Sequence, residues 1–144
     1  MTTSRRAVFA LFLTGFFLTP GPASPAECSD EAKPLQGTLR LVHTRHAMNS
    51  TPIEAWQLVF KPPVCVMYKE SVNAKDKTHL DNVGTMHLLV TPSEAARLKG
   101  RSGARVTVKA GPDGGVSPAL TAWHIGDAIM VHPEIVSVGG KPLR

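Results

Sequence analysis

The chain has 144 residues, 42% of them apolar and 19% charged, and a formal net charge of +5. The charges are scattered, with no block of like sign, so composition gives no ground for a nucleic-acid partner. No run is long enough to cross a membrane, and the length suits one domain with one modest core.

The first segment reads as an export signal. Met1–Arg6 (MTTSRR) is a short cationic start, Ala7–Leu18 (AVFALFLTGFFL) is an apolar run without charge, and Thr19–Ala26 (TPGPASPA) is a small-residue exit rich in proline. This is the three-part pattern of a secretory signal, with cleavage expected after Ala26 or Ala23. Ser4–Phe9 (SRRAVF) also resembles a twin-arginine signal, although the greasy apolar run suits the ordinary route. A lipid anchor on Cys28 is not expected, because Glu27 rather than a small residue precedes it. Residues 1–26 are therefore assigned to the signal and 27–144 to a single domain. Loss of Arg5 and Arg6 leaves 14 basic against 11 acidic residues, a charge of +3. The expected location is periplasmic or secreted.

Cys28 and Cys65 are the only cysteines. An even pair in an exported chain reads as a disulfide, here one that ties the mature N-terminus to the middle of the chain. The spacing does not fit a C-x-x-C redox pair.

Short β-like runs follow. Leu35–Val42 (LQGTLRLV) is the first, with Gly37 read as a bulge. His43–Pro52 is polar and loop-like. In Ala55–Phe60 (AWQLVF), Trp56, Leu58 and Phe60 alternate onto one side. Lys61–Val66 (KPPVCV) carries two prolines and reads as an edge or corner. Met67–Gly84 is polar and is expected to be a long loop before the third strand, Thr85–Val90. Thr91-Pro-Ser-Glu94 is a capping box with proline at the first helical position, so a short helix is expected from Pro92 to Lys99, stopped by Gly100, with Ala95 and Leu98 buried. Arg105–Ala110 alternates strictly, with Val106, Val108 and Ala110 inward. Gly111–Gly115 (GPDGG) reads as a turn. Val116–Asp127 reads as an irregular connection, and Ala128–Val138 as a last strand pair or one strand bent at Pro133.

Three strands, a helix and two strands is the order of the OB-fold, a five-stranded Greek-key barrel with its helix between strands 3 and 4. A β-sandwich would want about seven strands and has no use for the helix. The predicted fold class is therefore mainly β, a small OB-like barrel.

The chain also resembles a family of small exported bacterial proteins known as domain of unknown function 4431. The resemblance lies in Gly37, in the Pro62–Val66 corner, and in the run Gly100…Val106-Thr-Val108…Thr121-Ala-Trp-His124. Trp123 takes the first place of a histidine pair that the family favours. The resemblance implies a fold and a compartment, not a reaction.

OB-folds take ligands between the loop joining strands 1 and 2 and the loop joining strands 4 and 5. In this chain those are residues 43–52 and 111–127. His43, Arg45 and His46 should then face Trp123 and His124 across one groove, with donors, a cation and an aromatic plate suited to a sugar, an anionic glycan or an acidic protein surface. The plainer reading packs Trp123 into the barrel mouth and leaves the histidines in solvent. A second function class is a periplasmic metal-binding protein, with His43, His46, His124 and Asp127 as nitrogen and oxygen donors for zinc or copper. The H-x-x-H spacing of His43 and His46 would put the rings on opposite faces of a strand, so only a turn could join them. No nucleophile motif or pair of buried acids is evident. The expectation is a monomeric, non-catalytic binding or accessory module without a cofactor, partnered by an envelope protein or glycan.

Overall fold

The computed structural model describes residues 27–71 and 73–143. The predicted signal, with its apolar run and twin arginine, lies outside them. The elements are β1 (Ser29–Asp30), β2 (Leu35–Arg45), β3 (Pro52–Tyr68), β4 (Thr78–Leu89), α1 (Pro92–Leu98), β5 (Arg105–Pro118), β6 (Ala128–Val138) and β7 (Lys141–Pro142).

The five long strands close into a ring. β2 pairs antiparallel with β3 and with β5, β3 with β4, and β5 with β6, while β4 and β6 run parallel and complete the circuit. With the helix between the third and fourth long strands, this is the predicted OB-like Greek-key barrel. The two-residue β1 and β7 are additions to β3 and β6.

The interior is filled by alternate residues of every long strand, among them Leu39, Leu58, Val66, Met86, Leu88, Val106, Val108 and Met130, all essentially without solvent contact. Trp56 and Phe60 join Leu58 in this core. Burying each such side chain is worth about 1.5–3 kcal/mol. Helix α1 contributes Leu98 to the core and packs Ala95 at its margin. Both halves of its capping box are made: Thr91 Oγ1 accepts from the Glu94 amide at 3.3 Å, and Glu94 Oε2 accepts from the Thr91 amide at 2.7 Å.

The strands run longer than predicted, and four local readings need correction. Gly37 is no bulge, because β2 keeps its register through it. It lies so close to β3 that a Cβ would sit 2.7 Å from the Val59 carbonyl oxygen and 2.8 Å from Leu58 Cγ. Met67–Gly84 is not all loop, since β3 runs to Tyr68 and β4 starts at Thr78. Lys61–Val66 is a corner, but inside a continuous strand: pairing with β4 breaks after Val59 and resumes at Val64. Gly111–Gly115 is not a turn between elements but a large bulge within β5, where pairing passes from Ala110↔Pro133 to Gly115↔Val131. The bulge folds over His132, whose φ is 48°, and a Cβ on Gly111 or Gly114 would meet the His132 carbonyl oxygen at 2.8 Å. Ala128–Val138 is one strand.

The Cys28–Cys65 disulfide is present, with a Cα–Cα separation of 4.5 Å. It fastens the N-terminal segment to β3 beside β1. Asp30, on β1, pairs with Lys77, and this hydrogen bond is the main reason its carboxyl titrates below the usual value. No helix among the described residues is long and apolar enough to span a membrane.

Candidate functional site

The longer strands shorten both predicted loops. The β2–β3 connection is a tight turn over residues 46–51, so His43 and Arg45 stand on the end of β2. The β5–β6 connection is residues 119–127.

The 46–51 turn is braced from within. The His46 amide donates to the Thr51 carbonyl at 2.8 Å, Arg45 Nη1 donates to the Ser50 carbonyl at 3.0 Å, and the Thr51 amide donates to Asn49 Oδ1 at 3.1 Å. His46 Nδ1 accepts from the Met48 amide at 3.3 Å. These bonds turn the imidazole of His46 inward, where it is buried.

The 119–127 connection does not project from the barrel. It folds back across the outer face of β3 and β4. Asp127 fixes its end: Oδ2 accepts from the Gly84 amide, the Thr85 amide and Thr85 Oγ1 at 2.9, 2.8 and 3.1 Å. Ile125 is held through its main chain. Its amide donates to His87 Nδ1 at 3.2 Å, and its carbonyl accepts from Gln57 Nε2. Gln57 is oriented in turn by Arg40, whose Nε and Nη2 both donate to Gln57 Oε1 at 3.1 and 2.6 Å. Arg40, Gln57 and His87 are consecutive partners across β2, β3 and β4, so the register alone aligns them.

The two connections meet at the rings of His46 and Trp123, whose centroids are 4.1 Å apart at an angle of 36°. Trp123 remains 47% exposed, and Met48 and Leu120 on the same two segments are largely exposed. A half-open aromatic plate with apolar side chains on the flanking segments can pack against a ligand and release water doing so.

The other predicted residues have different roles. His43 is exposed and lies 3.5 Å from Glu54 across the β2–β3 ladder. Arg45 is committed to the turn's own carbonyl. His124 meets His87, with ring centroids 6.5 Å apart and planes at 71°, and its Nδ1 is buried without a partner. The proposed metal donors His43, His46, His124 and Asp127 do not gather: among the described residues, the one group of three with donor atoms within 4.8 Å is Cys28, Cys65 and Asp81. The sulfurs of that group are bonded to each other, and the Asp127 carboxylate is occupied by β4. No metal ligand is assigned among these residues.

Arg40, Gln57 and His87 were not among the predicted site residues. Polar residues on the outer side of a strand read as solvated, yet Gln57 is 2% and His87 7% exposed. Their burial comes from the connection lying over them, which strand periodicity cannot report. Burial is also the main reason that His87 titrates below the usual histidine value, with the neighbouring His124 adding to it.

The chain matches no protein-family model, no curated protein and no solved structure.

Proposed function

We propose that this protein is an exported, non-catalytic binding module whose contact surface is the barrel end where the 46–51 turn meets the 119–127 connection. The observation that carries the reading is the His46–Trp123 contact, which joins two distant segments around a half-exposed indole. A buried histidine backs the tryptophan, so the plate is held in place before a ligand arrives and little ordering entropy remains to be lost. Exposed Met48 and Leu120 favour a protein surface over a sugar, since interface cores are enriched in methionine and aromatic residues. The disulfide fits an oxidising compartment, and with the predicted signal at residues 1–26 it supports assignment to the periplasm. The OB-like ring and the motifs around Gly37, Pro62–Val66 and Thr121–His124 are consistent with the domain of unknown function 4431 resemblance.

The test is affinity capture from envelope extract with the mature protein and its Trp123→Ala variant. The expected result is a discrete partner retained by the wild type and reduced at least tenfold in the variant, as removal of a central aromatic contact costs about 2 kcal/mol or more. Equal capture by both proteins would reject this surface.

A further inference from the structure

The hold on Ile125 is chemically asymmetric. Gln57 is a neutral amide whose orientation Arg40 fixes, and the Asp127 carboxylate works on β4 amides at the far end of the connection. The third point is different: His87 Nδ1 can accept from the Ile125 amide only while that nitrogen carries no proton. A doubly protonated ring would set N–H against N–H.

We propose that the 119–127 connection is an acid-released lid, in which protonation of His87 breaks its bond to Ile125 and frees the segment bearing Trp123 from the outer face of β3 and β4.

The surroundings of His87 oppose the charged ring. His124 presents a second imidazole from the lid itself. Arg40, from β2, stands one residue beyond along the same row through Gln57. Glu54 of β3 and His132 of β6 line the same cleft as His87, of about 460 Å³, and Asp127, at the end of the lid, has its carboxylate taken up by Gly84 and by Thr85, which stands two residues before His87 on β4. Glu54 is largely exposed and already lies beside His43. Opening the lid returns His87 to water, where its ordinary value of 6.5 applies. The open form therefore binds the proton more readily than the closed form. The lid is fully held above about pH 6.5, loosens as pH falls, and gains no further looseness once the closed form's own titration is passed.

This inference goes beyond the binding surface proposed above and does not depend on it, because release is measured without a partner. The experiment is amide exchange by NMR on the uncomplexed mature protein between pH 7.5 and 5, corrected for intrinsic exchange. Protection of the Ile125 amide should fall by up to about tenfold per pH unit below 6.5, while Leu58 and Val108 in the barrel keep theirs. In the wild type the Ile125 change should begin near pH 6.5 and level off where the His87 ring of the folded protein titrates. In His87→Asn, whose amide oxygen replaces the accepting nitrogen but does not titrate, Ile125 protection should be flat across the range. The proposal is overturned by flat protection in the wild type, by parallel loss in the barrel strands, or by an Ile125 loss that continues undiminished below the titration of the His87 ring. An equal pH dependence in a folded His87→Asn variant overturns it as well.

Discussion

Gly37 shows how much one side chain decides at the level of a residue. β2 passes β3 so closely there that a methyl group would press on a main-chain oxygen, which cannot rotate away. Gly37→Ala should lower stability by about 1–3 kcal/mol, the usual cost of overpacking, read as a fall in urea midpoint with an unchanged slope. The sequence marks this glycine as unusual inside a strand, but not the cause, since bulge and close approach leave the same signature. Trp123 and His46 were legible in a different way. Each is unremarkable alone, and the OB order brought them to one end of the barrel on paper. Gln57 and His87 were illegible, because their burial depends on where a distant segment comes to rest.

At the level of elements, local chemistry was read best where it is self-contained. The Thr91–Glu94 capping box specifies its helix within four residues, and the helix forms there. Thr91→Ala removes the acceptor for the Glu94 amide and should cost about 1 kcal/mol. Because Leu98 carries this two-turn helix into the core, the loss should appear in global chemical denaturation as well as in local amide exchange. The strict alternation of Arg105–Ala110 was equally clear. The GPDGG stretch was not, for its turn residues serve equally to end a strand or to let a bulge ride over His132. The difference lies in the partner strand, four residues facing one, which only the assembled ladder reveals. The beginning of β4 was missed for a related reason: Leu80 is the one apolar residue in Thr78–Asn82, too little to show a period, and strand pairing with β3 holds the segment.

For the whole molecule, the disulfide is a main term. It closes a loop with a sequence separation of 37 residues, for which chain entropy gives roughly 4 kcal/mol. Replacing both cysteines by serine should lower stability by about 2–5 kcal/mol, seen as a urea midpoint that reductant shifts in the wild type and leaves unchanged in the variant. An unaltered wild-type midpoint after full reduction would show that the barrel needs no such tie.

The closed ring also bears on how anything can attach. Among the described residues, each of the five long strands has a neighbour on both sides, and the added short strands β1 and β7 span two residues each. That pairing is uneven, however: β2 meets β5 only over Leu35–Thr38 and β4 meets β6 only over Met86–Leu89, which leaves Val42–Arg45 of β2 and Thr78–Val83 of β4 paired with β3 alone. Those two half-paired stretches are where an incoming polypeptide would find main-chain donors and acceptors to extend as a further strand, so the barrel is closed as a fold and still open at its seams.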